Sequence, residues 1–417
     1  MKQIRIEGSR ALTGTISVSG AKNSAVALVP ASLLSDDIIT IDNIPNISDI
    51  EALNEILSYL GAKVSRENNL MIIDSSSITN KEIPESISKK LRASYYFMSA
   101  LLGKYKHVEM YFPGGCSIGA RPIDQTLKGF KALGATVIEE GNKFIIDAKE
   151  LTGGHVYLDM PSVGATINTI LVAVKAKGQT IIENAAKEPE IVNVATFLNN
   201  MGAKISGAGT SKISIVGVEK LGKCYTEVIP DRIEAGTYII AGALAGKNLR
   251  ISNIIPGHVE MLIMKLKEMG ANIEVGEDYV VLSQSDSLKA VNVKTLGYPG
   301  FATDLQQPLT VLLTQCSGLS VLEETIYENR FQNVPYLNEM GSNIKVIDKK
   351  IEINGPTKLH GATVKATDLR AGACLILAAL IAEGETVVTD IEHVLRGYEN
   401  IVEKLTNVGA KLKIEEI

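Results

Sequence analysis

The sequence predicts an α/β protein of two similar domains, each built from three repeated units with apolar helices inside and sheets outside. Three observations lead there. A short motif recurs six times: "YLGAKV" at Gly61, "ALGATV" at Gly134, "NMGAKI" at Gly202, "EMGANI" at Gly270, "EMGSNI" at Gly341 and "NVGAKL" at Gly409. Successive copies lie 68 to 73 residues apart, the mark of one supersecondary unit used repeatedly. The first helix of each unit is apolar on all sides, and the second carries a single apolar stripe. A helix apolar all round must be enclosed by other elements, whereas a striped one lies at a surface.

The first helices are read from "AVALVPASLLS", "RASYYFMSALLG", "GATINTILVAVKA", "EAGTYIIAGALAG", "LQQPLTVLLTQCSG" and "RAGACLILAALIAEG". A short β-patterned segment follows each, as in "TIIENA" and "TVVTDI". A loop then leads into the striped helix, such as "DIEALNEILSYL", which stops at the repeated glycine. Glycine tolerates the left-handed backbone that commonly ends a helix. Two further β segments, such as "AKVSRE" and "LMIID", close the unit. The opening "IRIEGSRALTGTISVSG" has no helix before it and is expected to complete the sheet of the last unit. That makes one domain discontinuous, residues 1–21 with 230–417. The other, residues 22–229, carries the Cys116 loop, and the handover falls near Val228–Asp231.

Composition narrows the function classes. A net charge of −5 gives no general pull toward nucleic acid or anionic membrane, so any anion site must be local. The N-terminal "MKQIRIEGSRALTG" lacks an apolar core of the kind a signal peptide needs, and "ACLILAALIA" is too short to span a bilayer. The four cysteines, Cys116, Cys224, Cys316 and Cys374, form no CxxC pair, and the five histidines are equally scattered. Reduced thiols in the cytoplasm are expected, with neither a disulfide frame nor a metal site.

Polar residues then interrupt the repeat at two sets of positions. At the starts of the apolar helices stand Lys22-Asn23, Arg92, Ser162-Val163-Gly164, Asp231-Arg232, Asp304 and Asp368 with Arg370. Asp231, Asp304 and Asp368 read equally well as helix caps. Lys22, Arg92 and Arg370 do not, because a cation there opposes the helix dipole by roughly 0.3–1 kcal/mol. Three such placements predict an anionic ligand that compensates them. The second set lies in loops after the first strands: Arg121, Glu188, Glu328, Arg330 and Arg396. Among these, "PGGCSIGARPID" places Cys116 between glycines with Arg121 five residues on, a setting that lowers a thiol pKa and makes it reactive. Cys224, Cys316 and Cys374 read as buried structural thiols.

These residues resemble the enolpyruvyl transferases, within them the branch that acts on a UDP-sugar. The likeness runs from "SGAKNSA" through "RASYYF", "PGGCSIGARPID", "SVGATIN", "NAAKEPEIV", "PDRIEAGT", "TDLQ", "YENRF" and "ATDLRAG" to "RGYENI". The resemblance implies an inside-out α/β barrel of two domains with the active site in the cleft between them. It implies transfer of the enolpyruvyl group of phosphoenolpyruvate to the 3-hydroxyl of UDP-N-acetylglucosamine, through a tetrahedral ketal and with no cofactor. Cys116 is the implied general acid, the site of a covalent adduct and the target of fosfomycin. Lys22, Asp304 and Arg396 join it as catalytic residues, Asp304 as base. The implied phosphoenolpyruvate ligands are Lys22, Asn23, Arg121, Arg370 and Arg396. The implied UDP-sugar contacts are Asn23, Arg92, Arg121, Pro122, Ile123, Asp124, Gln125, Ser162, Val163, Asp304 and Ile326. Asp231, Glu188, Glu328 and Asp368 support them.

The chain departs from the pattern in carrying Met160-Pro161 where some members have a lysine, which implies one cation fewer for the diphosphate, and in Gln125. Two rival readings stand beside this one: transfer to shikimate 3-phosphate, and a non-catalytic ring scaffold around a polymer. The partners expected are the two small substrates, with no nucleic acid and no membrane insertion.

Overall fold

The computed structural model describes residues 2–8, 11–112 and 123–416. The described residues fall into two units. One takes in the chain up to Ser19 and from Pro230 onward, and the other runs from Gly20 to Ile229.

Each unit is three copies of one pattern. In the unit from Gly20, the inner helices are Lys22–Ala31, Tyr95–Tyr105 and Val163–Ala173. In the other they are Arg232–Ala245, Gln306–Leu313 and Leu369–Ile381. Nearly every residue of these helices is buried, as their all-round apolar composition requires. In the second unit the three inner helices pack on one another, and the sheets lie outside them. The striped helices Ser48–Leu60, Asp124–Ala132, Pro189–Asn200, Glu260–Met269, Val334–Glu339 and Ile401–Asn407 bury one side only. All six repeat glycines adopt positive φ, between 86° and 104°, the conformation that ends a helix and that a Cβ would strain.

The described strands form six separate sheets, three in each unit, and none of them closes into a barrel. The sheets are joined by strand exchange. After its own hairpin, the second repeat passes His155–Tyr157 to lie parallel beside Gln179–Glu183, and the third passes Cys224–Glu227 beside Ile39–Asp42. Thr363–Lys365 beside Glu385–Thr389 follows the same rule. The N-terminus therefore does more than complete the last sheet. Lys2–Glu7 lies antiparallel between Glu385–Thr389 and Lys411–Glu416, in the sixth repeat. Leu12–Ser17 pairs in parallel with Gly246–Ser252, in the fourth. The opening segment thus supplies the sixth repeat's missing hairpin strand and then its exchanged strand, which ties the last repeat of that unit to its first.

Candidate functional site

In the unit from Pro230, the starts of the inner helices carry three aspartates with two different jobs. Asp231 accepts from the backbone N–H groups of Ile233 and Glu234, and Asp368 from those of Arg370 and Ala371. Both are N-caps in the ordinary sense. Asp304 is not. It sits in the 3-10 turn Thr303–Leu305 ahead of Gln306–Leu313, and its two carboxylate oxygens are taken by arginines. Arg330 donates to Oδ1 at 2.6 Å and Arg370 to Oδ2 at 3.1 Å. Both arginines are buried.

Burial pushes the Asp304 carboxyl up, but the charges of Arg330 and Arg370 outweigh it and hold the group well below the ordinary carboxylate range. A carboxylate gripped by two guanidiniums is a weak base until one of them leaves. The Arg370 guanidinium also lies 5.3 Å from the centre of the Tyr398 ring, whose hydroxyl is 2.8 Å from that of Thr237. Arg330 has a second bond, from Nη1 to the Thr303 hydroxyl at 2.8 Å, while its buried Nε has no partner among the described residues. Arg330 was legible only as a loop charge, and Thr303 carried no signal at all. Ile326 and Glu328 are exposed in the same loop, and Arg396 is half-buried after the short helix Glu392–Leu395.

In the unit from Gly20, Lys22 opens its helix and its Nζ lies 2.7 Å from Oδ2 of Asp49, in the first turn of Ser48–Leu60. Asn23 follows, half-buried. Arg92 lies over two rings, 5.8 Å from the centre of Tyr95 and 5.3 Å from that of Phe112. The Tyr95 hydroxyl presses against Gly164, where a Cβ would come within 1.9 Å of it, so only glycine lets these two helix starts approach. Ser162 caps the third helix by accepting from Ala165 N–H, with Val163 as its first residue. Buried Ile123 precedes the helix Asp124–Ala132. Gln125 donates to Asp124 at 2.8 Å and to Asp159 at 3.0 Å, and accepts from the Asp159 backbone. Gln125 thereby fastens this helix to the segment ahead of Ser162, where Met160 stands exposed. Glu188 precedes Pro189 at the start of its helix.

A carboxylate faces two of the three helix-start cations within their own units: Asp49 lies against Lys22 and Asp304 against Arg370. Burial of a cation demands an anion whether or not a ligand is bound. Asp49 was missed, since a first-turn aspartate on a striped helix looks like dipole compensation. Cys116, Arg121 and Pro122 lie outside the described residues. The other three thiols are buried, and burial pushes Cys316 and Cys374 each up to about 12 and raises Cys224.

The profile of the EPSP synthase (3-phosphoshikimate 1-carboxyvinyltransferase) family matches residues 6–405. The chain belongs to that family. Within it, the chain is 53% identical to UDP-N-acetylglucosamine 1-carboxyvinyltransferase 2 of Geobacillus kaustophilus, over 100% of this chain and 97% of the relative. It is 52% identical to the protein of the same name from Bacillus subtilis, over 99% and 96%. Among solved structures, the enolpyruvyl transferase NikO from Streptomyces tendae matches with TM-score 0.90 at 28% identity, covering 99% of both chains. EPSP synthase from Acinetobacter baumannii matches with TM-score 0.75 at 18% identity over the whole of both, which speaks to the fold alone. The family's inside-out α/β architecture is the one described above, with open sheets in place of the expected barrel.

Proposed function

We propose that this chain transfers the enolpyruvyl group of phosphoenolpyruvate to the 3-hydroxyl of UDP-N-acetylglucosamine and releases phosphate, the first committed step of peptidoglycan precursor synthesis. The observation that carries the choice of acceptor is identity above 50% along the full chain to relatives named for that reaction. Shikimate 3-phosphate is the weaker reading, because the EPSP synthase of Acinetobacter baumannii shares only 18% identity.

The chemistry assigns each group a task. The sugar hydroxyl adds to the second carbon of phosphoenolpyruvate while the methylene carbon takes a proton, giving a tetrahedral ketal. Loss of that proton and of the carbon–oxygen bond to phosphate then yields the enol ether and inorganic phosphate. Asp304 is the proposed base for the hydroxyl. Arg370, which holds Asp304 in the structure, is the proposed ligand of the incoming anion. Moving Arg370 from the carboxylate to the substrate would free Oδ2 and make Asp304 more basic when a proton must be taken. Lys22, Asn23, Arg121 and Arg396 complete the proposed anion ligands, with Arg suited to bidentate contacts on phosphate and carboxylate. Cys116 is the proposed acid. Asn23, Arg92, Arg121, Pro122, Ile123, Asp124, Gln125, Ser162, Val163, Asp304 and Ile326 are the proposed UDP-sugar contacts, supported by Asp231, Glu188, Glu328 and Asp368.

No helix among the described residues is long and apolar enough to cross a membrane, which accords with the proposed work in the cytoplasm. Mixing the protein with both substrates and measuring phosphate tests the reading. Release that depends on UDP-N-acetylglucosamine is expected. Release only with shikimate 3-phosphate, or none, would overturn it.

A further inference from the structure

A second buried carboxylate stands behind Asp304 and takes no part in the steps above. Glu324 follows the strand Cys316–Glu323 and is 1% exposed. Both of its oxygens accept hydrogen bonds. Oε2 takes the Thr303 hydroxyl at 2.8 Å. Oε1 takes the Thr295 hydroxyl at 3.0 Å and the backbone N–H groups of Ile326 and Tyr327 at 2.7 and 3.2 Å. Burying a carboxylate costs several kcal/mol unless its lone pairs are filled, so this residue is an expensive way to staple a loop.

The direction of the bonds gives it a purpose. The Thr303 hydroxyl donates to Glu324 Oε2 and so presents its lone pairs elsewhere. Arg330 Nη1 donates to that hydroxyl at 2.8 Å, and the same guanidinium reaches Asp304 at 2.6 Å. A planar guanidinium fixed at one nitrogen is fixed at the others. We propose that Glu324, acting through the Thr303 hydroxyl, is the positioning residue that aims Arg330 at Asp304, while its other oxygen holds the turn that carries Ile326. An amide changes the direction of these bonds. A glutamine turns its N–H either toward the N–H groups of Ile326 and Tyr327, which cannot accept it, or toward the Thr303 hydroxyl, which must then accept it and give up its own donation.

The inference rests on Asp304 as the base of the proposed reaction. Its test uses Glu324→Gln, Thr303→Val, Thr303→Ser and the Glu324→Gln/Thr303→Val double variant of the full chain. Steady-state kinetics with both substrates and thermal unfolding are the measurements. Expected is a kcat about 10- to 100-fold lower in Thr303→Val, with the KM for phosphoenolpyruvate within about threefold. Thr303→Ser, which keeps the hydroxyl, restores kcat to within about threefold, and the double variant is no slower than the worse single one, because both act through one relay. Unchanged kcat in folded Thr303→Val and Glu324→Gln, or losses that multiply, would overturn the inference. A wild type inactive with UDP-N-acetylglucosamine would sink the proposed reaction instead. Crystal structures of the two single variants would then decide the relay: it predicts that Arg330 swings out of hydrogen-bonding distance of Asp304, and an undisturbed pair would refute it.

Discussion

Arg370 donates to Asp304 at 3.1 Å across a sequence separation of 66 residues, from a helix turn whose own cap is Asp368. With Arg330 on its other oxygen, Asp304 is charge-compensated before any substrate arrives. The carboxylate is thereby kept ionised but restrained. In the proposed reaction, its basicity follows which anion Arg370 holds.

Asp304→Asn keeps the shape and removes the charge. Turnover should fall by about 100-fold or more in phosphate-release assays. Stability should change as well, because two buried arginines lose their anion. The folded pKa lies below the unfolded one, so the contribution is present above about pH 4 and is lost as the pH falls through the depressed value. In urea unfolding the gap between wild type and variant should therefore narrow below about pH 4. A gap that widened in acid would contradict the ion-pair account.

Asp49→Asn tests the matching arrangement in the other unit. Lys22 and Asp49 are both largely buried at 2.7 Å. Removing one partner leaves the ammonium poorly compensated, at a cost of about 3 kcal/mol. A lower melting temperature is expected together with a several-fold rise in the KM for phosphoenolpyruvate. An unaltered KM in a destabilised protein would make the pair structural only.

Glu234 should give the opposite pH signature. It is buried beside Lys404 at 2.6 Å and accepts from the Ser19 backbone at 3.1 Å. Burial pushes its carboxyl up, the Lys404 charge and hydrogen bond only partly offset this, and it settles at about 7. The folded state binds this proton more tightly than the unfolded one. Stability is therefore lost as the pH rises between about 4.5 and 7, by up to about 3 kcal/mol. Unfolding free energies across that window should fall for the wild type and stay flatter in Glu234→Gln. A wild-type advantage that grew with pH would be inconsistent with the buried carboxyl.

The thiols offer a simple count. Cys316 and Cys374 are fully buried and pushed up to about 12, so a disulfide reagent at pH 8 should find them unreactive in the native protein. Fast labelling is expected at Cys116 alone and at all four cysteines in denaturant. Rapid native labelling that persists in Cys116→Ser would show that another thiol is accessible.

Much of this architecture could be read along the chain. The inner helices were legible because burial on every side leaves an uninterrupted apolar run. The repeat glycines were legible because the left-handed turn they make is a local backbone requirement. The split of the N-terminal segment between two sheets was less so. Lys2–Glu7 and Leu12–Ser17 are both plain β patterns, and their partners lie hundreds of residues away. The site was legible in part. Lys22, Asp304 and Arg370 were visible as polar breaks in an apolar repeat, whereas Asp49, Thr303 and Glu324 resemble any capping or surface residue until their neighbours are known.

By itself the sequence determined the sixfold unit, its two helix types, the glycine at which each striped helix stops and which cations break the pattern. These follow from periodicity and backbone preference, which act over a few residues. Only the tertiary structure decided that Asp231 and Asp368 cap their helices while Asp304 faces Arg330 and Arg370. The same aspartate can satisfy a backbone N–H or a guanidinium, and the choice depends on which buried charge folding brings within about 3 Å.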